Sequence, residues 1–188
     1  KLMQDLEEKT ITIETSRLKK LKIAFDYLDL TSEFVERTEE SDIEQILVLL
    51  DNETENRDFD LVAQIMFLTD VFTIETNNDS KEPEVLQFMI SLPIVANEKT
   101  MTGIATLILR LNPFLPLGAF GITDLNSVYY RYNLVSSKGS SFDIPLVFEI
   151  LDSMNFFGEI ISKTIYDFSI EKSTLDEVLE RTLKLFLE

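Results

Sequence analysis

The 188-residue chain carries 34 acidic and 17 basic side chains, a formal charge of −17, and contains no cysteine, histidine or tryptophan. Its 45% hydrophobic and 27% charged content is that of a globular domain with a core, and its acidity disfavours nucleic acid and anionic membrane as partners, because phosphate binding needs clustered Lys and Arg. Without cysteine or histidine there are no disulfides, no thiolate nucleophile, no Cys-ligated metal, and none of the side chain most often used as a general base.

The first residues, Lys1 to Lys9, are polar and lack the apolar region of a signal peptide. No window of about 18 uninterrupted apolar residues is available to span a bilayer, so a cytoplasmic location is expected. Two glycosylation-type triplets begin at Asn52 and Asn78. Residues 16–30 start at a capping Ser16 and place Leu18, Leu21, Phe25 and Leu28 on one helical stripe, with Lys19, Lys20 and Lys22 away from it. Past Phe34 the acids Glu33, Glu36, Glu39, Glu40, Asp42 and Glu44 surround few apolar residues, and Ile46 to Leu50 is a short apolar run.

Phe59, Leu61, Ala63, Ile65 and Phe67 alternate with the period of a strand, and strand texture continues over Val71 to Glu75. Asn77 to Pro83 reads as an exposed turn. Val85 to Val95 reads as a further strand, shortened or held at a sheet edge by Pro93. Thr100 opens a helix with Ile104, Leu107, Ile108 and Leu111 on one face, which Pro113 ends near Asn112. Gly118 to Thr123 and Ser127 to Ser136 form a hairpin about Asp124-Leu125-Asn126, with a second turn at Lys138-Gly139. Asp143 and Pro145 start a long helix whose stripe is Val147, Ile150, Leu151, Met154, Phe157, Ile161 and Ile165. Thr174 with Glu177 makes a capping box for a last helix through Val178, Leu179, Thr182 and Phe186.

The expected class is α+β: an antiparallel sheet flanked by helices in the order α-β-β-β-α-β-β-α, plus a C-terminal helix. Residues 1–188 make one domain, with 1–15 an N-terminal extension, 16–168 the core and 169–188 the C-terminal helix.

Chemistry is sparse. Asp51 to Glu55 has the alternating oxygens of a calcium loop, but Asn56 stands where the sharp turn needs Gly and Val62 where a bidentate Glu is needed. The acidic run Glu33 to Glu44 is a solvated face, with a basic partner as its functional counterpart. Asp124 and Asn126 suit a turn. Ser140 and Ser141 have no histidine to activate them. With 5 glycines and no phosphate-loop or dinucleotide fingerprint, no catalytic, cofactor-binding or metal-ligating residue is assigned, and neither enzymatic activity nor a cofactor is expected.

Arg110 and Arg131 both lie in apolar stretches. An arginine so placed pairs with a carboxylate and packs its stem on aromatics. In its functional version Arg131 anchors a partner with Tyr129 or Tyr132. Strand alternation puts Tyr129 and Arg131 on one sheet face and Tyr130 and Tyr132 on the other, so Arg131 and Tyr129 are the candidate partner-binding residues.

Asn112-Pro113-Phe114-Leu115-Pro116-Leu117-Gly118-Ala119-Phe120-Gly121-Ile122, followed by Asn126-Ser127-Val128-Tyr129-Tyr130-Arg131-Tyr132, resembles the corresponding stretch of YbjN-domain proteins. These are small bacterial proteins related in fold to the type III secretion (Tir) chaperones. Asn126-Ser127 stands where an Asp-Gly would be usual, and the helix from Thr174 is an addition. The resemblance implies a non-catalytic, acidic protein-binding module that acts as a chaperone or regulatory adaptor, holds a protein client or regulatory partner, and pairs as a homodimer. The alternative is a small-molecule or lipid binder with Phe148, Phe156 and Phe157 lining a pocket between sheet and long helix. A third possibility, an enzyme working with carboxylates alone, would need at least three clustered buried acids.

Overall fold

The computed structural model describes residues 16–39, 43–50, 59–68 and 83–187. The expected calcium-like loop at 51–55, the triplets at Asn52 and Asn78, the strand texture at 71–75, most of the turn at 77–83 and the extension at 1–15 lie outside the described residues. Among the described residues the elements are α1 (Arg17–Tyr27), β1 (Ser32–Val35), β2 (Gln45–Leu50), β3 (Leu61–Phe67), β4 (Pro83–Val95), α2 (Met101–Leu111), a 3-10 turn (Asn112–Phe114), β5 (Ala119–Ile122), β6 (Ser127–Ser137), α3 (Ile144–Ser169) and α4 (Leu175–Leu187). The fold is α+β. Six strands form one sheet in the order β1-β2-β3-β4-β6-β5, and every neighbouring pair is antiparallel.

Two local differences from the sequence reading have plain causes. Ser32–Val35 forms a four-residue edge strand on β2, hidden in the sequence because acids flank its single core-facing ring, Phe34. Pro93 does not put β4 at an edge: β4 lies between β3 and β6. The β3 ladder runs only as far as Ile90, and the β6 ladder breaks between Ser91 and Val95, so the proline falls where no ladder needs its missing N–H.

Helix ends follow local chemistry. Ser16 Oγ accepts the Lys19 amide at 3.2 Å and Asp143 the Leu146 amide at 3.2 Å. Thr100 caps differently: its Oγ1 accepts from the Asn97 amide, while Asn97 Oδ1 accepts from the amides of Lys99 and Thr100. Leu28 lies beyond α1 and is 49% exposed, so the buried stripe is Leu18, Leu21 and Phe25.

All four described helices share one core on one sheet face. Gly158 brings α3 close over β3, β4 and β6: a Cβ there would stand 3.3 Å from Leu61, 3.6 Å from Ile90 and 3.8 Å from Tyr130. Phe25 of α1 meets Phe148 of α3 edge-on at 5.7 Å. Helix α2 lies against α3 where Gly103 meets the Phe168 ring. Helix α4 is tied to α3 by a buried Thr164–Thr182 hydroxyl pair at 3.0 Å.

Beside that pair, the buried Asp167 carboxylate accepts from Lys163 Nζ at 3.0 Å and Arg181 Nη2 at 3.4 Å, with Lys172 Nζ at 3.8 Å. Asp167→Ala should therefore cost about 1–3 kcal/mol, a range reduced because its cations are partly solvated. Lys172→Ala should cost less than about 0.5 kcal/mol. Denaturant unfolding of the two variants checks the contrast.

The capping box at α4 adds a pH dependence. The Thr174 amide and hydroxyl donate to Glu177 Oε2 at 2.8 and 2.9 Å and hold its carboxyl below the ordinary value. The cap is fully made above the ordinary carboxylate value and is lost as pH falls through the lowered one. Amide exchange in the first turn of α4 should therefore accelerate in acid, and Glu177→Gln should remove that step.

Candidate partner-binding surface

Residues paired across a sheet share a face, and residues alternate between faces along a strand. Registers therefore assign every strand side chain. Ile46, Val48, Leu61, Ala63, Ile65, Leu86, Phe88, Ile90, Phe120, Val128 and Tyr130 are buried under the helices. The opposite face carries no described helix. One unbroken row crosses it from edge to edge: Glu33, Leu47, Gln64, Met89, Arg131, Ala119. Flanking it are Leu49 opposite Val62, and Ser91 and Gly121 on either side of Tyr129. Leu49 and Val62 are 39% and 40% exposed.

The 3-10 turn and β5 shape one side of this surface. Asn112, after α2, closes a two-way bridge with Phe120: its Nδ2 donates to the carbonyl at 3.0 Å and its Oδ1 accepts the amide at 2.9 Å. Tyr130 Oη donates to the Leu117 carbonyl at 2.8 Å, and burial raises the phenol's pKa well above its ordinary value. Gly118 sits at φ +69°, and a Cβ there would meet the Arg131 carbonyl oxygen at 2.7 Å. Opposite Tyr129 stands Gly121, over which the phenol ring lies, an arrangement in which an aromatic covers an edge glycine. Arg131 then sets its guanidinium 5.5 Å from the centre of that ring. Two small residues of β5, Ala119 and Gly121, thus make room for the Arg131–Tyr129 pair.

Arg131 is exposed, and among the described residues no carboxylate pairs with it. Tyr129 is half-buried and Tyr130 fully buried, as alternation requires; Tyr132 faces Phe88 on the core side. Arg110 is exposed in the last turn of α2, where a cation suits the helix dipole. Of the acidic run, Glu36 pairs with Lys19 at 2.8 Å and Glu33 lies exposed on β1, while 40–42 lie outside the described residues. Asn126 adopts φ +62° in the turn, and Asp124 lies beside it.

The three phenylalanines considered for a pocket serve different neighbours. Phe148 meets Phe25, Phe157 stacks toward Phe186 of α4, and Phe156 is 59% exposed. Among the described residues the buried acids are Glu159 and Asp167, and no group of three or more His, Cys, Asp or Glu is placed to hold a metal ion. No described helix is long and apolar enough to cross a membrane. No protein-family model matches this chain, and no curated protein does.

Sequence reasoning named Glu33 on this surface as the first acid of the run Glu33 to Glu44 and did not connect it with Arg131. Its relation to Arg131 exists only through five strands in register, so no local signal could have found it. Arg131→Ala should change stability by less than about 0.5 kcal/mol, whereas Gly118→Ala, strained by φ and by the carbonyl, should cost about 2 kcal/mol. A large loss for Arg131→Ala in thermal unfolding would make the residue part of the scaffold.

Proposed function

We propose that this chain is a cytoplasmic, non-catalytic protein-binding module, a chaperone-like or regulatory adaptor, that receives a partner protein on the face of its sheet that carries no described helix. The observation that carries the reading is the composition of that face. Leu47, Leu49, Val62 and Met89 form an apolar patch, with the Arg131–Tyr129 couple, which no described carboxylate joins, at its side. Aromatic residues, methionine and arginine are the types enriched at protein interfaces, and arginine set on an aromatic ring is a low-entropy anchor. The YbjN resemblance of residues 112–132 implies the same class of function.

The face is better suited to this than the edges. Both edge strands, Ser32–Val35 and Ala119–Ile122, are four residues long, too short to template a long added strand.

A photoreactive phenylalanine analogue placed at Val62, on the face, should give protein adducts of discrete mass in cell extract. The same group at Leu109, 74% exposed on α2, should not. Equal labelling from both positions, or none from Val62, would remove the reading.

A further inference from the structure

Helix α4 lies on α2 and α3, and its attachment is narrow. Among its described side chains Val178, Leu179 and Thr182 are buried, while Leu183 and Phe186 are half-buried. The joint with α3 finishes each helix separately. The amides of Glu171 and Lys172 donate to the carbonyls of Phe168 and Asp167 at 3.0 Å, closing the end of α3 with Glu171 at φ +58°. Thr174 and Glu177 close the start of α4 with their own box. Ser173 lies between the two closures, so α4 can turn about it without opening a cap of either helix.

The seam between α3 and α4 is partly polar. Thr164 Oγ1 donates to the Ile160 carbonyl at 3.1 Å, so Thr182 is the donor in the hydroxyl pair at 3.0 Å. Once apart, both hydroxyls can turn to water, which keeps the net cost of parting them small. Asp167 would lose Arg181 but keep Lys163, one turn back on its own helix, at 3.0 Å. Lifting α4 therefore leaves no buried charge without a partner at this seam.

We infer that α4 is a detachable plug, seated in a groove that takes an amphipathic helix of a partner protein in its place. This groove is separate from the sheet face and does not depend on it. Phe186 of α4 stacks on Phe114 at 5.8 Å and on Phe157 at 6.1 Å. Phe157 in turn meets the exposed Phe156 edge-on at 5.1 Å. With α4 lifted, Phe114, Phe157 and Phe156 would form one aromatic surface, the kind of exposed apolar patch that marks a protein-binding site.

The seated helix states what a replacement must carry. Val178 and Leu179 give two adjacent apolar positions, Arg181 and Thr182 a cation and a hydroxyl donor, and Phe186 an aromatic four residues further on. The cation answers Asp167 and the hydroxyl answers Thr164, so the two together fix register, as a buried polar group does in a coiled coil. This is helix-in-groove recognition. Because α4 is tethered through so short a joint, its effective concentration is on the order of mM. A partner helix is held off by the fraction of time the groove is filled.

Native-state amide exchange on the unaltered chain is the first test. Amides of 179–184 in α4 should exchange about 100-fold or more faster than those of 158–165 in α3, opening as a unit of their own. Equal protection would mean that α4 leaves only when the whole domain unfolds, and would overturn the inference.

The second test adds a fluorescein-labelled peptide of residues 173–188 to the full chain and reads anisotropy. Val178→Asp lies on α4 and leaves the groove as it is. The chain carrying it should bind the peptide about tenfold or more tighter than wild type, and a peptide carrying Val178→Asp should bind neither chain. Equal affinity for the two chains, no binding to either, or equal binding of a shuffled peptide overturns the inference. So does a Val178→Asp chain whose circular dichroism shows the entire fold lost. A mass of twice 21.7 kDa by light scattering would assign the groove to the α4 of a second copy, which also overturns the partner helix.

Discussion

Helix α3 settles over the sheet at Gly158 closely enough that a Cβ there would press on Leu61, Ile90 and Tyr130, residues of three different strands. That contact fills the centre of one sheet face with a 26-residue helix, and the remaining helices have to find burial against α3 itself. Helix α1 does so through Phe25 and Phe148, α2 where Phe168 lies on Gly103, and α4 through the Thr164–Thr182 pair and the cations around Asp167. A sheet and a helix each need one covered apolar side. With every described helix recruited to the same side, the other carries none among the described residues, and its exposure varies along the strands: Leu49 and Val62 are exposed while Met66 and Gln87 are buried.

The side that carries no described helix is where the charge distribution changes. Several acids elsewhere are ion-paired: Glu36 with Lys19, Glu180 with Lys184, Glu84 with Arg17. On that side, apolar and amide side chains dominate and one acid balances one base. The Arg131 guanidinium is held over Tyr129, Tyr129 over Gly121, and the β5 strand carrying Gly121 is fixed by the Asn112–Phe120 bridge. Residues 112–132 thus act as a scaffold whose output is the position of one arginine.

Much of this was legible from the sequence because its causes are local. The caps at Ser16 and Asp143 and the box at Thr174 and Glu177 are contacts across three residues, and the structure makes all three. The facing of Tyr129 and Arg131 follows from strand period alone. Where the cause was remote, the signal faded. The four residues of β1 form a strand because β2 lies beside them, and nothing in Ser-Glu-Phe-Val announces it. Pro93 suggested an edge, yet it sits centrally at an interruption of both ladders. Glu33 acquires meaning only once four intervening pairings align it with Arg131.

The β4–β6 ladder carries a consequence for how the chain reaches this structure. Strands β1 to β4 form a meander of neighbours in sequence, and β5 with β6 is a tight hairpin turned at Asn126. Joining them brings together Val95 with Ser127, across α2 and β5, and Pro83 with Ser137, across α2 and the whole hairpin. Loop entropy must be overcome before any of these pairs contributes, and rates fall as such separations grow. The docking of β6 onto β4 thus closes some of the most widely separated pairings of the sheet, and Arg131 takes its place in line with Met89 in that same ladder.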